Sequence, residues 1–457
     1  MTVSTDVLAE LGIPAGTMPR LIGDPRPAAL FAPLAVAECA VASVAACLAA
    51  AAELGHARTG RRPPVALDTA HVAAAVRGEV WLRDAAGRSV EGFAPLSRLW
   101  RAADGWVRTH ANYPWHRAAL LAALGVADGP DVEVMGRLAD AVAARPAVDV
   151  ETVVYDGGGL AVAARAPERW WAVAPSETAT GSPLVGVVPL DGAAPPLPAP
   201  GRLPASGVRV LDLTRVIAGP VGTRMLGALG AEVLRVDDPL RPELPLHALD
   251  GVVGKASALL DARTAAGRET LHRLVDGADV VVTGYRPGAL RRLGLDPDQI
   301  ADRHPGTVVA TLSAWGTTGA WGACRGFDSL VQIATGIGWT VRADDGRPGA
   351  LPCQLLDHAT GYLLAAGILT ALTRRARTGA ASHVSVSLAR TARWLLDQGS
   401  RSPALGGDDE AGRQADAYRT ALGNGWSGIS PPGSVDGRPL RWPRLPPAYG
   451  RALPAWG

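Results

Sequence analysis

Lysine is nearly missing from this 457-residue chain: Lys255 is the only one, and arginine supplies the rest of the positive charge. With Lys+Arg 45 against Asp+Glu 43 the net charge is only +2, so no global basic field exists to draw in nucleic acid or an anionic membrane surface. Any anionic ligand has to be met by a local site. Cysteine is scarce too: Cys39, Cys47, Cys324 and Cys353 show no Cys-x-x-Cys spacing and are too few for a disulfide framework, which fits a reducing cytoplasm. The first 20 residues contain no basic segment followed by an apolar core. The alanine-rich run from Ala35 to Ala52 is interrupted by Glu38 and followed by Glu53. Neither export nor a membrane span is therefore expected. Phenylalanine is rare, at 3 against 13 tryptophans, and Trp170, Trp171 and Trp315 serve either as walls of an apolar pocket or as core filling.

What is present reads as an ordinary folded chain. A hydrophobic content of 48% with 19% charged residues supplies a core, and the length allows two or three domains. The stretch from Pro195 to Ser206 (PPLPAPGRLPAS) is too rich in proline for regular structure and predicts a stiff extended linker. After it, VRVLDLTRV reads as a buried strand, AGPVGTRMLGALGA as a helix of small residues and EVLRVDDP as a second strand. ETLHRLVDGA, DVVVTGY and TVVATLSAWG continue the alternation, which predicts a parallel sheet covered on both faces.

The chain also carries an internal likeness. The segment beginning at Glu38 can be laid on the one beginning at Asp357 without a gap, at an offset of 319 residues (357 less 38). In both, an acidic residue opens an alanine- and leucine-rich helix. The helix ends at Arg58-Thr59-Gly60 in one and Arg377-Thr378-Gly379 in the other, and a short strand follows. Glycine just past a last helical turn is what a C-terminal cap requires. Two alanine-rich helices can look alike by composition alone, but the matching caps and the register favour duplication.

Three places carry candidate chemistry. The turn Val216-Ile217-Ala218-Gly219-Pro220 puts small residues at a helix N-terminus on the carboxyl edge of a sheet, where anionic cofactors bind. Asp357 follows the apolar stretch LPCQLL and opens an apolar helix, so its carboxylate is either an N-cap or a nucleophile. Lys255 is either a point charge for a phosphate or carboxylate, or a surface residue with no role.

From Val208 to about Arg390 the chain resembles the family III CoA-transferases, the group that includes formyl-CoA transferase and carnitine CoA-transferase. VLDLTRVIAGP is similar to the family's opening strand and turn, and GALGAEVLRVDDP to its second helix and strand. GKASALLDARTAAGR resembles the N-R-G-K-x-S segment and VVTGYRPGALRRLGLD the E-N-[FY]-R-P-G segment. SAWGTTGAWGACRGFDSLVQIATG resembles the glycine-rich stretch, and LLDHATGYLLAAGILTAL the segment with the catalytic aspartate.

The resemblance implies an α/β fold in which a Rossmann-like parallel-sheet half joins a smaller α+β domain in the interlocked architecture of that family. It implies a CoA-transferase that uses coenzyme A and acyl-CoA as substrates, with no permanently bound cofactor and no metal. In that chemistry a carboxylate attacks the donor thioester to give an acyl-aspartyl anhydride and CoA thiolate. The thiolate returns to the aspartyl carbonyl, and an acceptor acid then takes the CoA through a second anhydride. By motif, Asp357 is the nucleophile. Val216, Ile217 and Ala218 line the thioester end of the CoA. Arg235 and Lys255 fall where CoA phosphates lie, and Gly284, Tyr285 and Arg286 contact the CoA chain and nucleotide. Arg286 has a structural alternative, an ion pair bracing the turn before Pro287. His358, beside Asp357, either tunes the ionisation of that aspartate or has a packing or surface role, and the second is favoured because adjacent residues on a helix point apart.

Departures from the pattern bear on the substrate. Val252-Val253 replaces the N-R pair, Thr283-Gly284 replaces E-N, and Ile217 stands where the formyl-CoA transferase type has glutamine, which argues against a small oxalate-like acid. Phe327-Asp328 stands where the related racemases carry a histidine, which disfavours an acyl-CoA racemase or isomerase. A catalytically silent CoA-ester-binding protein is the other alternative. Residues 1–194 resemble a partial family region with a central helix, a small domain and a return segment. Residues 195–206 form the linker, 207–400 the Rossmann-like CoA-binding half and 401–457 the C-terminal tail. Each half holds what the other lacks, so one composite active site at Asp357 is expected, with Glu38 as its counterpart in the degenerate copy. A homodimer and a single-chain pseudodimer both fit, with acyl-CoA and a carboxylic acid as partners and neither nucleic acid nor membrane.

Overall fold

The computed structural model describes residues 2–173, 182–401, 408–445 and 448–457. The parallel sheet forms as the alternating pattern predicts. Seven strands lie in the order Gly186–Pro189, Ser382–Ser387, Val308–Ser313, Val280–Thr283, Arg209–Leu213, Glu232–Asp237 and Ala256–Leu259. All neighbours run parallel except the first pair. The central strand Val280–Thr283 is buried throughout, which is why it reads as an unbroken apolar run.

Two helices of 24 residues, Val36–Thr59 and Leu355–Thr378, pack against each other at the centre of the molecule. Each is long and apolar enough to cross a membrane by length and composition, yet 94% of each apolar window is buried inside the protein. Their bounds keep the 319-residue offset (355 less 36, 378 less 59), and each stops at a left-handed glycine, Gly60 (φ 74°) and Gly379 (φ 69°). The correspondence extends into the sheets. Ala66, Leu67 and Asp68 pair in parallel with Arg20, Leu21 and Ile22, as Ser385, Val386 and Ser387 pair with Thr311, Leu312 and Ser313. On the other edge, Ala66 pairs antiparallel with Ser434, as Ser385 does with Gly186.

These edge strands are exchanged. Gly186–Pro189, from the first half, closes the sheet of the second; Ser434–Val435, from the tail, joins the sheet of the first. A boundary at 194 therefore does not separate two bodies, because backbone hydrogen bonds of one sheet cross it. Nor is Pro195–Ser206 a free tether. Its carbonyls, which proline-rich backbone leaves without internal partners, accept from Arg58 at Pro198, Pro204 and Ser206 and from Arg375 at Pro195.

The smaller α+β domain is built on the antiparallel strands Leu99–Arg101, Trp106–Thr109 and Ala161–Ala163 with three helices, Pro114–Ala123, Asp131–Ala143 and Ala147–Asp156. It has its own core, including Val107, Leu120, Leu138 and Val150.

Candidate active site

Strands Arg209–Leu213 and Val280–Thr283 lie side by side in parallel, and the chain leaves them in opposite directions across the sheet. Such a switch point leaves a crevice at the carboxyl ends of the two strands. Here it is a cleft of about 530 Å³ lined by Val216, Ile217 and Ala218 from one strand end, by Gly284, Tyr285 and Arg286 from the other, and by Asp357. Seven of the nine residues expected at the site thus come together.

The helix Ala218–Ala228 begins at this cleft and is buried along its whole length. It can approach the Leu355–Thr378 helix closely because Gly222 and Gly361 face each other. A Cβ on Gly222 would lie 2.7 Å from the Gly361 carbonyl, and one on Gly361 would collide with the carbonyl of Ala218. Ala218, at the start of one helix, and Asp357, in the first turn of the other, both line the cleft, so the N-terminal end of the Ala218–Ala228 helix borders the space that holds Asp357. Val216, just before it, has φ 66°, a conformation that β-branched residues rarely adopt and that costs about 1–3 kcal/mol. It is held there by Glu243, whose Oε2 accepts the Val216 N–H at 3.0 Å.

Glu243 is a hub. The same carboxylate takes hydrogen bonds from Tyr113 (2.5 Å), Arg235 (2.9 Å) and Arg215 (3.3 Å). Burial alone would push its carboxyl up, but Arg215 and Arg235 outweigh that and hold it well below the usual range. Arg235 is wholly buried and also pairs with Asp237 at 2.7 Å. Lys255 is wholly buried as well, its Nζ 2.8 Å from Asp212, whose carboxylate is further held by Thr214 and Thr223. Burial lowers the Lys255 ammonium to about 8, against the pull of Asp212. Neither cation lines the cleft, which corrects the expectation that Arg235 and Lys255 face CoA phosphates. Both neutralise acids at the carboxyl ends of the strands, where an unpaired charge would be costly.

The cations that do reach the cleft are different ones, and two of them, Arg215 and Arg263, are paired with Glu243 and with Asp238 and Asp261. Arg241, Arg286 and Arg325 line it, are exposed, and form no ion pair among the described residues. Arg286 therefore does not brace its turn through a salt bridge. Burial lowers the Arg325 guanidinium, and the charges of Arg286 and Arg241 lower it further, so the three share one region. Across from them stand Tyr113, Trp115 and His116 of the small domain. Tyr113 stacks on Trp115 with centroids 4.7 Å apart, and Arg241 lies over Trp115 at 5.1 Å. His116 is kept neutral, lowered to about 4 by burial and then by Arg325, Arg241 and Arg215.

Asp357 lies in the first turn of its helix and is 6% exposed. It is not the cap. Asp328 takes that role, its Oδ2 accepting the Asp357 N–H at 3.0 Å while Oδ1 holds Gln332. Burial, then the charges of Asp328 and Glu79, push the Asp357 carboxyl well above its ordinary value. Asp328 is raised to about 6, chiefly by burial. Phe327, in place of a histidine, faces the cleft with His110 stacked on it at 3.8 Å. Two of the three tryptophans turn out to be core, Trp170 and Trp315, which are fully buried and pack on each other and on Trp321, while Trp171 is half-buried with Arg393 over its ring.

Sequence reasoning missed Tyr113, Trp115, His116, Glu243, Arg241 and Arg325. The Tyr-Pro-Trp-His cluster after the small-domain strands was the one local signal.

Residues 205–429 match the model of CoA-transferase family III. This stretch belongs to CoA-transferase family III. The chain is 34% identical over 251 residues to the probable fatty acyl-CoA transferase Rv3272 of Mycobacterium tuberculosis, covering 48% of this chain and 64% of that one. It is 32% identical over 195 residues to the formyl-CoA:oxalate CoA-transferase of Afipia carboxidovorans, covering 40% of this chain and 46% of that one. A crystal structure of Rv3272 aligns over 43% of this chain and 56% of its own, with 37% identity and a TM-score of 0.41. The chain thus spans less than two thirds of the length of these relatives.

Proposed function

We propose that this protein moves coenzyme A from an acyl-CoA to a carboxylic acid, with Asp357 as the covalent carrier. The observation that carries the reading is a nearly buried carboxylate in a cleft that also holds three arginines with no ion pair among the described residues. The arginines suit the phosphates of a CoA thioester, and Tyr285 and Trp115 offer apolar faces to the rest of it. The Asp357 carboxylate attacks the thioester carbonyl, the C–S bond breaks, and CoA leaves as thiolate. The thiolate attacks the aspartyl carbonyl of the anhydride, releasing the donor acid and forming an aspartyl-CoA thioester. An acceptor carboxylate displaces that thiolate to form a second anhydride. The thiolate then takes the acceptor acyl group and restores Asp357. The N-terminus of the Ala218–Ala228 helix borders the cleft, and the backbone N–H groups of Ala218 and Gly219 are the donors we assign to the tetrahedral oxyanions.

The site is composite, since its aromatic wall comes from the first half of the chain, and the exchanged edge strands support a single-chain pseudodimer. Glu38, at the position equivalent to Asp357, is engaged by Arg401 at 3.0 Å, and only Asp357 acts as carrier. The test is mass spectrometry after incubation with hydroxylamine and acyl-CoA thioesters from acetyl to octanoyl. A hydroxamate on the Asp357 peptide, absent from Asp357→Ala, supports the reading; no adduct with any thioester rejects it.

One observation favours a second reading, racemisation. His116 brings a neutral imidazole into the cleft that holds Asp357. Incorporation of deuterium from solvent at the α-carbon of a 2-methylacyl-CoA separates it from transfer.

A further inference from the structure

Glu79 and His358 lie 279 residues apart in the chain and meet inside it, Glu79 Oε2 standing 2.9 Å from His358 Nε2. Glu79 comes from the Gly78–Trp81 turn of the first half; His358 is the residue after Asp357. The Glu79 side chain is 6% exposed and that of His358 not at all. The contact is a hydrogen bond when Nε2 carries the ring hydrogen and the Glu79 oxygen accepts it. His358 Nδ1 has no partner among the described residues, which leaves Glu79 as the one hydrogen bond fixing the ring. Around them lie the buried Arg224–Asp250 pair (2.6 Å), His247, and Asp328 on the Asp357 N–H.

Burying such a pair costs desolvation, and apolar residues of similar volume are often as stable or more so. A pair at this place therefore calls for a reason other than stability. The first turn carrying Asp357 is gripped twice, by Asp328 on its backbone and by Glu79 on the next side chain. Small displacements of a reacting group carry large rate penalties.

We propose that Glu79, acting through His358, is a positioning residue for Asp357, so that the first half of the chain aims the nucleophile of the second. This rests on Asp357 being the covalent carrier. The decisive measurement is the rate of hydroxamate formation on Asp357 in the full chain, using the thioester that labels wild type, beside the rise in melting temperature with CoA. Glu79→Ala is expected to slow labelling 10- to 100-fold while the CoA-induced rise stays that of wild type. Glu79→Gln keeps an acceptor for the Nε2 hydrogen and is expected to recover labelling to within about fivefold of wild type. If Glu79→Ala does not fold, His358→Phe, which fills the space without a ring nitrogen, replaces it with the same expected loss. Labelling within twofold of wild type in the alanine or phenylalanine variant overturns the positioning role alone. Equal losses in Glu79→Ala and Glu79→Gln also overturn it. Absence of labelling in wild type overturns the carrier reading and this inference with it.

Discussion

Asp328 holds the backbone N–H of Asp357 at 3.0 Å, so the carboxylate that caps the helix is also a negative charge set against the side chain of the next acid. One contact supplies order and repulsion together. An acid raised in this way is mostly protonated until the pH passes its folded value, and it reacts only as the carboxylate.

Replacing Asp328 with asparagine keeps an oxygen for the N–H but removes the charge. Asp357 then ionises more easily, so the acidic limb of the kcat/KM profile moves to lower pH. A limb that stays in place or moves upward shows that Asp328 does not govern the ionisation of Asp357.

The same shift fixes a stability trend. Folded Asp357 keeps its proton at pH values where the unfolded chain has lost it, so this contribution to stability is complete below about pH 4, the ordinary carboxyl value, and fades as pH rises through the folded one. Asp357→Asn, which never ionises, should therefore melt several degrees above wild type at pH 7 and close to it near pH 4. Equal melting at both values contradicts the raised ionisation.

Lys255→Met separates a core role from a ligand role. Leaving Asp212 buried without its cation should cost about 3–5 kcal/mol of folding stability. Chemical denaturation reads that loss, while the affinity of the folded protein for CoA stays within twofold. A large loss of affinity with unchanged stability would restore Lys255 to the phosphate site.

Arg286→Ala and Arg325→Ala should each weaken CoA binding about 10-fold or more, the scale of a lost charge-assisted hydrogen bond. Titration calorimetry in rising salt should show a shallower salt dependence in both variants than in wild type. Unchanged affinity in both removes the arginines from the phosphate site.

Glu38→Gln should leave the yield of Asp357 hydroxamate as in wild type, since Arg401 already engages Glu38. Labelling on the Glu38 peptide in wild type would make the two copies functionally equal.

Much of the molecule was legible in the sequence. The strands Arg209–Leu213, Glu232–Asp237, Val280–Thr283 and Val308–Ser313, the two glycine-capped long helices and the placement of Asp357 in a first helical turn all follow from local rules, while the edge strand Ala256–Leu259 went unread. Apolar runs, capping residues and a constant offset act over a few residues, and the linear text records them. The cleft-lining turn at Val216 was equally readable, because strand ends in an alternating α/β pattern fall at one edge of the sheet, whereas the turn at Gly284 was reached only through the family resemblance. Charge was not. Arg235 and Lys255 look like free cations in a sequence, but folding brings Asp237 and Glu243 to the one and Asp212 to the other. Arg241 and Arg325 look no different from the other arginines, yet they are left facing the cleft. The contributions of Tyr113, Trp115 and Glu79 arise from contacts across more than 100 residues, which leave no periodicity to read. The sequence by itself determined the elements and the candidate nucleophile; which charges are cancelled and which remain for a ligand was decided only when distant segments packed together, because electrostatic pairing depends on distance in space and not along the chain.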